Sequence, residues 1–132
     1  MTQEEKELLK KVLCEMLPYG IQIAKANVIY PMTGVNIALG YVELAVSERI
    51  SIEEARPYLR PMSSMTNDER FEYLDFLKVE ILDGGYVTEN YVVRLEYMPG
   101  LIDWLLKHHF DYRGLIGMGL ALPAPEGMYD FK

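Results

Sequence analysis

Apolar residues recur at helical spacing in three segments of the chain, and the first of these is residues 3–17. The apolar side chains of this segment fall on one stripe, while charged residues occupy most of the remaining surface. Thr2 and Glu5 lie at the spacing of a capping box, in which a hydroxyl and a carboxylate accept free backbone amides. Thr66 and Glu69 repeat that spacing, so we predict that a second helix begins there.

The second and third predicted helices differ in how clearly their ends are marked. The apolar face of the second helix comprises Phe71, Leu74, Leu77 and Ile81. Residues 79–82 either continue this helix or pair as a hairpin with a strand at residues 86–98, across two glycines. A third helix is predicted from residue 99, with His108 and His109 in its last turn. The residues expected to be buried include Leu9, Leu13, Leu105 and Leu106.

Between the first two helices the pattern changes to the period of two that is typical of strands. Strands are predicted at residues 21–30, 35–39 and 41–46, with a turn at residues 31–34. Residues 57–61 begin and end with proline, which cannot donate a hydrogen bond inside a sheet. This segment is therefore predicted to be an edge strand.

Three shorter elements complete the pattern and define the fold class. Residues 52–55 and 112–116 are each predicted to form one helical turn, and residues 120–122 a short strand. The strands come in runs without helices between them, which argues against a parallel sheet. We therefore predict an α+β fold, with three main helices packed on a small antiparallel sheet or partly open barrel, in a single domain over residues 1–132. A more helical domain with one hairpin is the alternative.

Composition and charge narrow the classes of function. The 132 residues are 50% hydrophobic and 25% charged, as is ordinary for a globular protein. Thirteen Lys and Arg against twenty Asp and Glu give a net charge of −7, which disfavours nucleic acids and anionic membranes as partners. The chain shows no signal sequence and no apolar run of roughly 20 residues. Cys14 is the only cysteine, which indicates a reducing, cytoplasmic setting.

Three blocks of the sequence resemble a known family. They read PYLRPMSSMT at residues 57–66, DWL at residues 103–105 followed by HFDYRGLI at residues 109–116, and GLALPAPEGMY at residues 119–129. Together with residues 13–20, these blocks are similar to a family of short uncharacterised proteins encoded in prophages and phages of anaerobic gut bacteria. The resemblance implies a phage or mobile-element setting and brings no activity, cofactor or catalytic residue with it.

Asp111, Tyr112 and Arg113 form the most suggestive candidate binding site. The planar guanidinium of Arg113 is suited to a carboxylate or a phosphate, so the three residues predict a seat for an anionic group or a partner's side chain. The structural alternative is that Arg113 pairs with Asp111 or with the carboxyl end of a helix, and fastens the last helix to the sheet. Arg60, which precedes a turn-forming proline, presents the same two possibilities.

No combination of residues points to catalysis or to a bound metal. His108 and His109 are adjacent, so in a helix their side chains diverge by roughly 100° and do not favour one ion. We expect them to cap the carboxyl end of the third helix, with one ring half-buried. Ser63 and Ser64 lack the sequence context of a nucleophile. We therefore assign no catalytic residue, no metal ligand and no cofactor, and an enzyme is the less favoured class.

Tyrosine and methionine are the residues that bear most on function. The chain contains ten Tyr and eight Met, which are common at protein interfaces, although a small domain also uses Tyr at half-buried positions. They favour a non-enzymatic protein-interaction module with an unidentified protein partner, as a monomer or weak homodimer. The alternative is a nucleic-acid-associated factor with a basic patch of Lys25, Arg56, Arg60 and Arg113. A small hydrolase or a metabolite-binding domain is a third possibility.

Overall fold

The computed structural model describes residues 1–82 and 99–129 and has an α+β fold. Among these residues, the α-helices are α1 (Gln3–Met16), α2 (Asn67–Leu82) and α3 (Pro99–Lys107). The strands are β1 (Gln22–Lys25), β2 (Val28–Asn36), β3 (Tyr41–Leu44), β4 (Glu48–Ser51), β5 (Arg56–Leu59) and β6 (Leu122–Pro123). Short 3₁₀ helices lie at Leu17–Tyr19, Ala45–Ser47 and Met62–Ser64. The strand predicted at residues 86–98 lies outside the described residues.

The strands of the described residues form one open sheet in the order β4-β3-β2-β1-β5-β6. All neighbours are antiparallel except β5 and β6, which are parallel. The sheet is curled, because Lys25 in β1 and Glu48 in β4 form an ion pair at 2.7 Å although two strands separate them. In a flat sheet such strands lie about 14 Å apart. The prediction of an α+β fold with a small antiparallel sheet is confirmed apart from the parallel pair of β5 and β6, and the strands of residues 1–82 and 99–129 do not close into a barrel.

Strand β2 is shared by the two halves of the curled sheet. Its first half pairs with β1 and its second half with β3. The turn predicted at residues 31–34 is wrong, because the strand continues through it and a bulge between Met32 and Gly34 absorbs the change of direction. The hairpin turn lies instead at Ala26 and Asn27, whose positive φ angles match the twist of a two-residue hairpin.

The strands predicted at residues 35–39 and 41–46 are both shorter than expected. Strand β2 ends at Asn36, and Ile37 and Leu39 lie exposed in a turn rather than in the core. Strand β3 ends at Leu44. In both cases apolar residues continue past the last paired position, so the length of the hydrophobic pattern overestimates the strand.

Strand β5 lies inside the sheet, so the prediction of an edge strand at residues 57–61 is wrong. It pairs with β1 on one side and with β6 on the other. Each of these ladders contains two residue pairs, so few backbone amides are needed and Pro57 is tolerated. The turn predicted at residues 52–55 is present, with Ala55 N donating to Ser51 O at 2.9 Å. The last strand begins at Leu122 rather than at residue 120.

The capping boxes predicted for α1 and α2 are confirmed. Glu5 N donates to Thr2 Oγ1 at 3.1 Å, and Thr2 N donates to the Glu5 carboxylate at 3.0 Å. Thr66 and Glu69 make the same reciprocal pair, at 3.2 and 2.9 Å. Helix α2 then continues to Leu82, so residues 79–82 are helical and the hairpin alternative is wrong.

The predicted apolar face of α2 is exposed where the structure describes it. Phe71 is 69% exposed and Leu74 is 58% exposed. The helix instead contacts the α3 region through Tyr73 and Glu72, whose side chains both reach Trp104. Over the side chains that the structure describes, the apolar stripe therefore does not identify the packed face of α2, which contacts Trp104 through a polar and an aromatic side chain.

The core consists of two clusters of buried side chains. The larger cluster packs α1 against the sheet and includes Leu9, Val12, Leu13, Met16, Ile21, Ile23, Val42, Leu59 and Leu106. The smaller cluster surrounds α3 and contains Leu101, Trp104, Leu105 and Phe110. All four of the leucines predicted to be buried are in these clusters, which confirms the buried faces assigned to α1 and α3.

Truncation of a buried leucine tests this core. Leu9 and Leu105 are both fully buried, so Leu9→Ala and Leu105→Ala should each lower the free energy of unfolding by about 2–5 kcal/mol in urea denaturation. Leu39→Ala is the control, because Leu39 is 74% exposed and its truncation should stay within about 0.5 kcal/mol of wild type. Buried and exposed truncations of equal cost would contradict the assigned core.

Candidate functional site

Arg60 follows β5 directly and is held by Glu69 of α2. Its two terminal nitrogens donate to the Glu69 carboxylate at 2.7 and 2.6 Å, and its guanidinium lies 4.3 Å from the centre of the Phe110 ring. Its backbone bonds to both neighbours of Phe110, because Arg60 N donates to His109 O and Asp111 N donates to Arg60 O. Arg60 therefore joins α2 to the segment that follows α3.

Glu69 serves both the helix cap and this ion pair. The hydrogen bonds from Arg60 outweigh the effect of burial and lower the pKa of Glu69 to about 2. The Nδ1 atom of His108 lies 3.4 Å from the same carboxylate, and the His108 ring is 4.5 Å from that of Trp104. Burial lowers the pKa of His108 below its ordinary value, so this contact is not a full ion pair at neutral pH.

Asp111 organises the segment that follows it. Its carboxylate is buried and accepts hydrogen bonds from Leu115 N at 2.7 Å and Ile116 N at 2.9 Å. The helical turn predicted at residues 112–116 is therefore wrong. The chain instead makes hydrogen-bonded turns that end at Gly119, where φ is +76°.

Tyr112 and Arg113 converge on Glu15 near the carboxyl end of α1. Arg113 Nη2 donates to one oxygen of the Glu15 carboxylate at 3.0 Å, and the Tyr112 hydroxyl donates to the other at 3.2 Å. This geometry matches the structural alternative of a pair with the carboxyl end of a helix. The observed contacts differ from that alternative in two respects. Arg113 pairs with Glu15 and not with Asp111, and the contact fastens the segment after α3 to α1 rather than to the sheet. Ligand binding at these residues stays a prediction.

His109 occupies the left-handed position that ends α3, which stops at Lys107. His109 N donates to Leu106 O and Phe110 N to Leu105 O, both at 3.0 Å, which is the Schellman arrangement. The φ angle of His109 is +63°, a conformation that normally favours glycine.

The ring of His109 is fully buried and contacts two distant segments. Its Nε2 lies 2.7 Å from the carbonyl oxygen of Tyr19, and this nitrogen carries the proton because a carbonyl only accepts. The ring stacks on Tyr129, with 3.9 Å between ring centres. Burial lowers the pKa of His109, although the hydrogen bond to Tyr19 opposes the shift. His109 therefore ends α3 through its backbone rather than through a charged side chain, and its ring is fully buried. His108 is the half-buried ring.

The hydroxyl of Tyr129 lies between β1 and β5. It accepts a hydrogen bond from Gln22 N and donates one to Tyr58 O, both at 2.8 Å. Ile23 opposes Pro57 in this pair of strands, so the hydroxyl stands where Gln22 and Tyr58 would form the next pair. Burial raises the pKa of Tyr129 well above its ordinary value, which keeps the hydroxyl a donor.

The four cations of the predicted basic patch are each used within the chain. Lys25, Arg60 and Arg113 pair with glutamates at 3.0 Å or less. Arg56 donates to two backbone carbonyls of the preceding turn, at 2.8 and 2.9 Å. Across residues 1–82 and 99–129, no three His, Cys, Asp or Glu side chains are close enough together to hold a metal ion.

One exposed surface was missed from the sequence. It consists of Ile37, Leu39, Tyr41 and Arg49, and we call it the Asn36 surface. Asn36 organises the turn, since its Oδ1 accepts from Leu39 N at 2.9 Å and its Nδ2 donates to the Tyr41 hydroxyl at 3.3 Å. The turn leaves Ile37 56% exposed and Leu39 74% exposed. An Asn followed four residues later by Gly40 is the signal that could have indicated a turn.

Arg49 of β4 lies beside this turn. Its guanidinium is 4.7 Å from the centre of the Tyr41 ring, which is the distance of a cation–π contact. None of the ion pairs formed among the described residues involves Arg49. The Asn36 surface therefore combines two aliphatic side chains with an aromatic ring and a cation that has no carboxylate partner within the described part of the chain.

The Arg60–Glu69 pair predicts a loss of stability in acid. The pKa of Glu69 is about 2 in the folded chain and about 4.5 in the unfolded chain, so its contribution is complete above about pH 4.5 and is lost as the pH falls through about 2. Between pH 5 and pH 3, the free energy of unfolding should fall by about 1 kcal/mol more in wild type than in Glu69→Gln. Urea denaturation measures this difference.

Glu54→Gln is the control for this acid titration, because Glu54 is exposed and should leave the wild-type slope unchanged. Identical slopes for wild type and Glu69→Gln would show that the pair does not stabilise the fold.

The contact of Arg113 with Glu15 predicts a structural cost for its removal. Arg113→Ala leaves the half-buried Glu15 carboxylate without its cation and should lower the free energy of unfolding by about 1–2 kcal/mol. Lys10→Ala removes the pair with the Glu7 carboxylate, which is more exposed than that of Glu15, and should change the free energy of unfolding by less than about 0.5 kcal/mol. If Arg113→Ala melts with wild type, Arg113 does not act as a clamp.

No protein-family model, no curated protein and no solved structure matches this chain. Among residues 1–82 and 99–129, no helix combines the length and apolar character needed to cross a membrane. The geometry of the described residues is therefore what bears on function.

Proposed function

We propose that this chain is a small non-enzymatic accessory protein of a phage or mobile element, which works in the cytoplasm and binds a protein partner through the Asn36 surface. The observation that carries this proposal is the turn that holds Ile37 and Leu39 outward. Both side chains are more than half exposed, although the core takes up most other large aliphatic residues of the described chain. The resemblance of the sequence blocks supports the mobile-element setting.

The turn is suited to binding because it is already ordered. The two hydrogen bonds of the Asn36 side chain fix the turn backbone and the Tyr41 ring before any partner arrives. Binding then costs little conformational entropy, while burial of Ile37 and Leu39 contributes roughly 1.5–3 kcal/mol each. Tyr and Arg beside aliphatic anchors are also typical of the residues that dominate interfaces. The partner that fits is a protein with an apolar recess bordered by a carboxylate, which would pair with Arg49.

The nucleic-acid alternative receives less support from the contacts. Lys25, Arg60 and Arg113 are neutralised by glutamates, and a phosphate would have to displace those carboxylates. The net charge of −7 opposes the approach of a polyanion. Of the site residues predicted from the sequence, Arg60 and Asp111 are committed to internal contacts, which leaves the Asn36 surface as the more accessible place for a partner.

Paired substitutions test the proposal. The full chain, wild type or variant, is used as bait in lysate from a host strain that carries the element, and captured proteins are quantified by mass spectrometry. Ile37→Asp/Leu39→Asp should lose a protein that wild type captures, because two charges would be buried at the interface. With that partner purified, calorimetry should show an affinity at least about tenfold weaker for the variant.

Phe71→Asp/Leu74→Asp is the matched control, since it changes two exposed apolar residues on α2. This variant should still capture the partner protein, and both double variants should have the same melting temperature as wild type. Loss of capture only in the α2 variant would indicate that the partner binds α2 and not the Asn36 surface. Salt-sensitive retention of wild type on DNA, with no protein captured, would instead favour the nucleic-acid alternative.

A further inference from the structure

A polar groove lies at the end of the β3–β4 hairpin that is farther from the Asn36 turn. Its volume is about 370 Å³, within the roughly 300–1,000 Å³ that small-molecule sites occupy. Ile37 and Leu39 do not line this groove, although Arg49 belongs both to the groove and to the Asn36 surface. The polar residues that line it are Thr33, Glu43, Ser47, Glu48 and Arg49.

Two irregularities of the backbone meet at this groove. Thr33 is the extra residue of the bulge between Met32 and Gly34, and bulges often redirect a side chain beside a functional site. Val46, which also lines the groove, has a φ of +60° and a ψ of +32°, a conformation that is strained for a β-branched residue. Its side chain is 80% exposed, so burial in the core does not compensate for this strain. Strain of this kind is concentrated at ligand sites, which directs attention to the groups beside it.

Two of these groups carry opposite charges and do not pair with each other. Glu43 of β3 and Arg49 of β4 lie directly opposite one another, where such charges usually attract. None of the ion pairs within residues 1–82 and 99–129 involves either residue. The Arg49 guanidinium instead lies 4.7 Å from the centre of the Tyr41 ring. The Glu43 carboxylate lies over Gly34, with one oxygen 3.0 Å from the place that a β-carbon would take there.

A ligand with both charges fits this pair better than a ligand with one. An anion on Arg49 would lie beside the Glu43 carboxylate, and a cation on Glu43 would lie beside the Arg49 guanidinium, so each would meet repulsion as well as attraction. A zwitterion satisfies both groups, because its carboxylate accepts from the guanidinium and its ammonium donates to the carboxylate. Glu48 competes little for that ammonium, since Lys25 already pairs with it at 2.7 Å.

We propose that this groove binds a small zwitterion of the chemical class of the free amino acids, with its carboxylate on Arg49 and its ammonium on Glu43. The site goes beyond the proposed function, because it requires no protein partner. Since Arg49 serves both surfaces, a bound zwitterion would occupy the cation that a partner's carboxylate needs. Two ionic contacts at an exposed groove give a weak complex, with a dissociation constant of about 1 mM.

Nuclear magnetic resonance titration of the full chain tests the groove. Each common amino acid is added in turn, and the tightest binder is compared with its N-acetyl and its C-terminal amide derivatives. For at least one amino acid, the backbone amide signals of Glu43, Ser47 and Arg49 should shift and saturate. Acetylation removes the ammonium and amidation removes the carboxylate, so each derivative should bind at least about tenfold more weakly.

Two variants assign each charge of the ligand to its residue. Glu43→Gln and Arg49→Gln change exposed side chains, so both should have the melting temperature of wild type and bind the amino acid at least about tenfold more weakly. Glu43→Gln should also bind the amino acid and its N-acetyl derivative equally, while Arg49→Gln should bind the amino acid and its amide equally. Glu54→Gln and Arg70→Gln are the matched controls, since both residues are exposed and lie outside the groove. They should keep the wild-type affinity.

Three results would overturn the zwitterion site. They are the absence of saturable shifts for every amino acid, derivatives that bind as tightly as the parent, and wild-type affinity in Glu43→Gln or Arg49→Gln. Ile37→Ala/Leu39→Ala separates this site from the proposed partner surface, because neither residue lines the groove. This double variant should bind the amino acid as wild type does, and loss of that binding would place the ligand on the Asn36 surface and overturn the groove.

Discussion

A single hydroxyl, that of Tyr129, stands between two strands of the sheet, and the last part of the chain depends on it. Residues 108–129 pair with the sheet only through the two-residue strand β6 and a single bridge between Phe110 and Arg60. Side chains supply further hydrogen bonds. Tyr129 bridges β1 and β5, while the Asp111 carboxylate accepts hydrogen bonds from two amides of the turns that follow α3.

The same segment is also tied to each helix by a different kind of contact. Tyr112 and Arg113 bind Glu15 of α1, and Arg60 connects the residues after α3 to Glu69 of α2. Each tie involves a carboxylate that accepts more than one hydrogen bond. Such contacts lose strength when one partner is removed, because the remaining charge is left partly buried. These carboxylate contacts thus favour one relative placement of the helices and the sheet, and the two apolar clusters pack in the space between them.

The helix caps and the buried faces of α1 and α3 were predicted correctly, whereas turns, strand ends and contacts between distant residues were not. The capping boxes at Thr2 and Thr66 depend on residues three positions apart, so the sequence alone identifies them. The buried stripes of α1 and α3 follow from helical periodicity in the same way. The bulge in β2 and the position of β5 inside the sheet depend on which strands become neighbours, and periodicity carries no information about that.

The candidate site shows the same division. Arg60 and Arg113 were selected for the chemistry of their guanidinium groups, and that chemistry does engage carboxylates. The identity of those carboxylates could not be predicted, because Glu15 lies 98 residues before Arg113 and twenty acidic residues compete for the role. The Asn36 surface was missed for a different reason. Its aliphatic residues continue the alternation of β2, so they resemble strand residues until the turn geometry is known.

The bridge from Gln22 to Tyr129 spans 107 residues, and this separation sets an order of events while the chain is being made. Translation adds about 5–20 residues per second, so β1 waits about 5–20 seconds after its synthesis for the hydroxyl that completes its junction with β5. During that interval α1 and the β1–β4 hairpins can form from nearby contacts, which are the fastest to make. Until Tyr129 has been made, the junction between β1 and β5 remains unfinished, and in that period it is open to a protease or to pairing with another nascent chain.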